Sequence, residues 1–227
     1  MPNWVYNTLT IEGSPSSVQK LKEQVSAPFT REHDQWNMET GKMELKEYTY
    51  SNPVFSFWNI IKPTDLATYA LQKDHKADDS SLFGGNNWYD WNVRNWGTKW
   101  DVAVADGDEY SNTQITDEGA NGENYVIVYR FDTAWSPANE VIAKLSEQYP
   151  TLLFTNSYEE ETGWGGEDEF LAGENTATWD YESKCWECSA EDALELCEDC
   201  DMNVCVSCGI NDDGDQCEHL GVTKANV

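Results

Sequence analysis

Hydrophobic and polar positions alternate from about Asn3 to Glu12, where Trp4, Tyr6, Thr8 and Thr10 interleave with Val5, Asn7, Leu9 and Ile11. The period of two and the β-branched and aromatic content predict a strand. Gly13 breaks the run, Ser14 is placed to accept the first free amide of a helix, and Pro15 suits its first turn. Val18, Leu21 and Val25 then recur at helical spacing. The same grammar returns later. Tyr125 to Thr133 (YVIVYRFDT) reads as a strand, and Ser136-Pro137 opens a helix carrying Val141, Ile142, Leu145 and Tyr149. The helices share four identities over the eight residues 18–25 and 142–149, a likeness that amphipathic helices reach by convergence as readily as by duplication.

Two strand-then-helix units, each followed by further strand-like sequence, describe a double split βαβ, an α+β ferredoxin-like sandwich. A long insertion from about Ala27 to Ala105 separates the units. Its first part, Phe29 to Tyr50, is polar with poor periodicity. Pro53 to Ile61 (PVFSFWNII) is an apolar run that predicts a buried strand ended by Pro63. Thr64 to Lys73 predicts a short helix. Asp101 to Ala105 predicts a strand after the aromatic segment Trp88 to Trp100, and Asp106 to Asn124 reads as an exposed hairpin loop. After Pro150 a strand starts at Leu152 and runs to Tyr158. A strand pair follows up to Trp179, with Gly165-Gly166 as a bulge or bend. The expected organisation is a domain over residues 1–181 and an acidic module over residues 182–227.

Charge sharpens this picture. The 227 residues carry 14 Lys+Arg against 42 Asp+Glu, a net charge of −28. With 39% hydrophobic residues and 11 Trp, the chain can still bury a core. So negative a surface opposes direct binding to nucleic acid and favours partners with a basic surface. No run of 18 apolar residues occurs, and the start lacks a basic, then apolar, secretory signal. The expectation is therefore a soluble cytoplasmic protein with no membrane partner.

All seven cysteines fall between Cys185 and Cys217: Cys185-x2-Cys188-x8-Cys197-x2-Cys200-x4-Cys205-x2-Cys208-x8-Cys217-x-His219. With His219 these are eight ligands in four pairs, each spaced as a knuckle turn that aims two side chains at one metal. Four residues between Cys200 and Cys205 leave little room for one ion bound by both pairs. We therefore expect a cross-brace: Cys185, Cys188, Cys205 and Cys208 hold one zinc, and Cys197, Cys200, Cys217 and His219 a second. The odd count and cytoplasmic setting disfavour disulfides. Both sites are fully protein-ligated, which points to structural metal. The stretch from Cys197 to Cys208 resembles the core of ZZ-type zinc fingers, although Cys217-x-His219 stands where that family has two histidines.

His33 and His75 lie in polar sequence with no nucleophile motif nearby, so no catalytic residue is assigned. The runs Glu159-Glu160-Glu161, Glu167-Asp168-Glu169 and Asp212-Asp213-Gly214-Asp215 match no metal-loop spacing and read as solvated faces. In the aromatic segment, Trp88, Tyr89, Trp91, Arg94 and Lys99 are candidate contacts for a ligand or partner. Trp96 and Trp100 are assigned to the core; Trp4, Trp58 and Trp135 are further candidates to fill the space between sheet and insertion.

Several blocks resemble the Api92-like, or YubB ferredoxin-like, proteins of bacteriophages and plasmids. They are Met1-Pro2-Asn3-Trp4 with Tyr6-Asn7, Phe55-Ser56-Phe57, Ile60-Ile61-Lys62-Pro63, Asn95-Trp96-Gly97-Thr98-Lys99-Trp100-Asp101 and Phe131-Asp132-Thr133-Ala134-Trp135-Ser136-Pro137. The resemblance covers roughly residues 1–180. It implies a ferredoxin-like fold and a mobile-element origin, with no catalytic residues to carry over. Together these readings lead us to expect a non-enzymatic accessory protein that binds a host protein in the bacterial cytoplasm. A counter-defence inhibitor acting through its acidic surface, by mimicry of DNA, is the sharpest form. The alternative is a small-ligand or nucleotide-binding protein, or an enzyme, that uses the Trp/Asn-rich insertion.

Overall fold

The computed structural model describes residues 3–64, 66, 88–104, 113–181, 194–197, 202–205 and 208–209. In chain order its elements begin with β1 (Trp4–Gly13), α1 (Pro15–Val25), β2 (Phe29–Asn37) and β3 (Lys42–Tyr50). A 3-10 turn (Phe57–Asn59) and α2 (Trp88–Trp96) complete the insertion. Then come β4 (Gln114–Asn121), β5 (Asn124–Ala134), α3 (Asn139–Gln148), β6 (Leu153–Glu160), β7 (Gly165–Leu171) and β8 (Glu174–Tyr181), followed by β9 (Leu194–Cys197) and β10 (Met202–Cys205).

Six strands form one antiparallel sheet in the order β4-β5-β1-β6-β7-β8. The block β4-β5-β1-β6, with α1 and α3 as its crossovers, is the interlocked pair of split βαβ units that the ferredoxin-like reading requires. The hairpin of β7 and β8 extends it on the β6 side.

The period of two in β1 sets both faces. Val5, Asn7, Leu9 and Ile11 are buried, while Tyr6, Thr8, Thr10 and Glu12 point the other way. The buried rows meet Val18, Leu21 and Val25 of α1 and Val141, Ile142 and Leu145 of α3. Ser14 caps α1 by accepting the Ser17 amide at 3.3 Å. α3 starts at Asn139, after the Ser136-Pro137 signal, because the Ser136 hydroxyl instead donates to the Gly97 carbonyl at 2.5 Å.

The insertion folds back onto the covered side. Phe55 stacks 5.5 Å from Phe131, and Phe57, Trp58, Ile60, Trp96 and Val102 join the same core. Pro53 to Ile61 forms no strand. Its backbone amides turn inward to buried Asp101, whose carboxylate accepts from Phe57 N (2.7 Å), Trp58 N (3.2 Å), Val102 N (2.9 Å) and the Ser56 hydroxyl (2.8 Å). Side-chain bonds to backbone of this kind compete with a ladder. Burial pushes the Asp101 carboxyl above the usual range, opposed by Arg31 and these donors. Of the strand expected over Asp101 to Ala105, residues 101–104 are described and form no regular strand; among them Ala103 makes an isolated bridge.

Three further expectations change. Phe29 to Tyr50 is a hairpin of β2 and β3, closed by a turn in which the Asn37 side chain accepts from Glu39 N (2.8 Å) and Thr40 N (3.2 Å). The sequence from 106 to 124 is not all loop, since β4 forms the sheet edge. The expected helix from Thr64 to Lys73 falls almost wholly outside the described residues, as does His75; the side chain of His33 is also outside them.

Gly165 and Gly166 are not a bulge; the register shifts later, between Glu169 and Phe170. Their role is to let two tyrosines cross β7 on opposite faces. Tyr181 on β8 reaches over Gly165 and donates to Glu159 on β6 at 3.1 Å. A Cβ on Gly165 would lie 2.3 Å from the Tyr158 carbonyl oxygen and 2.5 Å from the Tyr181 hydroxyl. On the covered face, a Cβ on Gly166 would lie 2.8 Å from the Tyr158 hydroxyl. Gly165→Ala is expected to cost roughly 1–3 kcal/mol through overpacking. Gly119→Ala, with nothing within 4 Å of the added carbon, should stay within about 0.5 kcal/mol. Equilibrium urea unfolding of both variants tests this, and equal effects would contradict it.

Candidate functional site

Among the described residues, the helices and the insertion pack on one face of the sheet, and the other face is the exposed one. Cross-strand register builds two rows there. One runs Asp132, Tyr6, Glu159, Gly165, Tyr181; the next runs Arg130, Thr8, Ser157, Glu167, Trp179. These rows line a groove of about 380 Å³, with Tyr6, Thr8, Arg130, Ser157, Glu159, Glu167, Trp179 and Tyr181 among its walls. Tyr6 is 50% and Trp179 49% exposed, so two large rings stand in solvent. Trp179 packs on Tyr181 with ring centroids 5.3 Å apart.

The charge of this face is one-sided. Glu12, Asp132, Glu159, Glu167 and Glu169 lie on its rows, against Arg130 on β5. Arg130 and Glu167 are three strand spacings apart, roughly 14 Å. Ser157 donates to Glu167 at 2.5 Å and Tyr181 to Glu159, which fixes both carboxylates toward the groove. Burial pushes the Tyr6 phenol up, and Glu161, Asp132 and Glu160 push it further, so the field at this ring is negative.

The aromatic surface continues past the start of β1. Trp4 lies 6.2 Å from Trp100, and the Lys99 ammonium sits 4.3 Å from the Trp100 ring and 4.6 Å from the Trp135 ring. Tyr89 meets Trp135 edge-on at 6.4 Å. Trp135 is 45% exposed and holds a φ of 72°, a left-handed conformation that costs a bulky residue of order 1–3 kcal/mol. Its amide donates to the Asn3 carbonyl at 2.9 Å, which ties this strained corner to the start of β1.

The sequence candidates therefore separate. Tyr89 and Lys99 join this surface cluster, Trp88 and Trp91 pack against the core, and Arg94 is exposed on α2. α2 ends at Gly97 in the left-handed conformation with φ 82°, the usual C-terminal stop. Trp96 and Trp58 are buried as the core reading expects, but Trp100 is only half-buried and Trp135 is outside the core. They close the surface corner instead, because Lys99 draws both rings to its ammonium.

Among the metal candidates, Cys205 is buried and Cys208 half-buried. The Gly209 amide donates to the Cys205 carbonyl at 2.7 Å, with Gly209 at φ 68°. Cys197 ends β9 opposite Met202. Cys185, Cys188, Cys200, Cys217 and His219 lie outside the described residues, and no group of three metal-ligating side chains forms among those described. No helix among the described residues is long and apolar enough to cross a membrane.

The groove itself was not among the sequence candidates. Tyr6, Glu159 and Trp179 come from strands far apart in the chain, and only the exposed phase of the alternation in β1, Tyr6-x-Thr8-x-Thr10, hints at it.

Comparison with known proteins bears on the fold. Residues 99–201 match the family model described as a ferredoxin-like domain in Api92-like protein, and the match ends inside the cysteine-rich segment. The crystal structure of a protein api92 from Yersinia pseudotuberculosis superposes with a TM-score of 0.50 at 13% identity, covering 82% of this chain and 100% of that one. No curated protein matches the chain. The two matches bear out the ferredoxin-like fold, and residues 99–201 are similar to the domain that this family model describes.

Proposed function

We propose that the protein is a non-enzymatic binding protein that docks on the basic surface of a host protein. The observation that carries this is the exposed sheet face, where the Glu159 and Glu167 carboxylates and two exposed rings line a groove with the Arg130 guanidinium, and Glu12, Asp132 and Glu169 lie elsewhere on the same face. Strands hold these groups rigidly, so little side-chain freedom is lost on docking. Complementary charge would steer the encounter and make the complex weaken as salt rises. In its sharpest form the acidic face fills a groove on a phage-defence enzyme that otherwise takes nucleic acid. The small-ligand alternative needs Arg94 or Lys99 in a concave site facing an anion; Lys99 is held between two indoles, and Arg94 is exposed on α2.

The same proposal gives the segment after Tyr181 two structural zinc ions, held by Cys185, Cys188, Cys205 and Cys208 and by Cys197, Cys200, Cys217 and His219. The hydrogen bond from the Gly209 amide to the Cys205 carbonyl and the left-handed Gly209 support it, since a knuckle turn after Cys-x2-Cys uses a glycine in this way. The hairpin supports the cross-brace as well. Cys205 stands three residues along β10 from the partner of Cys197, roughly 10 Å away, so the two pairs serve separate ions. The zinc would supply folding energy and no reaction chemistry.

Native mass spectrometry should find two zinc ions per chain, and one in Cys205→Ser; a zinc-free wild-type chain would contradict the assignment. The binding role is tested by capture from host lysate at low and high salt. A basic protein that is retained at low salt and released at high salt is expected. Capture that is indifferent to salt, or no capture, would overturn it.

A further inference from the structure

The groove is too small for a folded partner, since about 380 Å³ lies near the lower end of the range for small-ligand sites. What it can admit are side chains projecting from a partner's backbone. Its walls are of two kinds on adjacent rows: the exposed Trp179 and Tyr6 rings, and the Glu159 and Glu167 carboxylates, each oriented by a hydroxyl donor. Ring faces and carboxylates together select a cation, because the ring quadrupole and the formal charge attract the same group. The chain already holds one cation against ring faces on the adjoining surface, where Lys99 lies between Trp100 and Trp135.

We infer that the groove receives arginine or lysine side chains from an extended basic segment of the partner protein, the head group lying against Trp179 and between Glu159 and Glu167. This rests on the binding reading above and adds the site and the recognised group. Arg130 faces the opposite wall and discriminates in register: it repels a second cation there and accepts a carboxylate or backbone carbonyl of the same segment. The chain's own C-terminal stretch does not suit the groove, since residues 182–227 carry 12 acidic residues and only Lys184 and Lys224 as bases.

The test is calorimetric titration of the full chain with a blocked peptide of four Arg-Ala repeats, with the Glu-Ala counterpart as control. The arginine peptide should bind and the glutamate peptide should not. Trp179→Ala and the double variant Glu159→Gln/Glu167→Gln should each weaken binding at least ten-fold, and Trp179→Phe should recover most of the loss. The double variant Glu23→Gln/Glu147→Gln, which removes the same charge from α1 and α3, should bind like wild type. Equal weakening by both double variants, or full affinity in Trp179→Ala, would overturn the groove while leaving salt-labile capture from lysate intact. Failure of the arginine peptide to bind, with capture still positive, would overturn it too; loss of capture as well would remove the binding reading beneath it.

Discussion

The strict alternation of β1 is the constraint on which the other features depend. As the central strand it is paired along its whole length with β5 and over most of it with β6, so its phase fixes theirs. Val5, Leu9 and Ile11 commit one face to the helices, and Tyr6, Thr8 and Thr10 commit the other to solvent. A slip of one residue would exchange the two faces. The open groove is therefore a consequence of the same pattern that builds the core.

The insertion respects that division. Its described residues add Phe55, Phe57 and Trp96 to the side already buried by α1 and α3. Asp101 organises this by gathering amides and a hydroxyl from residues 56–58, and Arg31 on β2 packs over Trp58 at 4.7 Å. A buried carboxylate is tolerated here because each oxygen is met by donors. The strained Trp135 and the indole-bound Lys99 then seal the corner where insertion and sheet meet, beside the groove and not over it.

What the sequence revealed follows from where burial is one-sided. β1, α1, β5, α3 and β6 carry a clean period because each hides one face, and their boundaries were legible to within a few residues. The hairpin of β2 and β3 was not, since as a two-stranded sheet it has solvent on much of both faces and so no apolar phase. Pro53 to Ile61 misled for the opposite reason: it is buried nearly all round, and its path was decided by Asp101 some forty residues away. Gly165-Gly166 signalled a special backbone position correctly but for another cause, the passage of Tyr181 and Tyr158. A groove assembled from five strands could not be read from local sequence.

The central claim is that recognition is concentrated on the open face rather than spread over an acidic surface. Indole resonances of the full chain, followed by NMR as the arginine peptide is added, test this most directly because tryptophans sample every region. The account predicts a large shift for Trp179, a smaller one for Trp4, and none for buried Trp58 and Trp96 or for Trp36, which is 54% exposed on the distant β2. Shifts of similar size at Trp36 and Trp179 would contradict it.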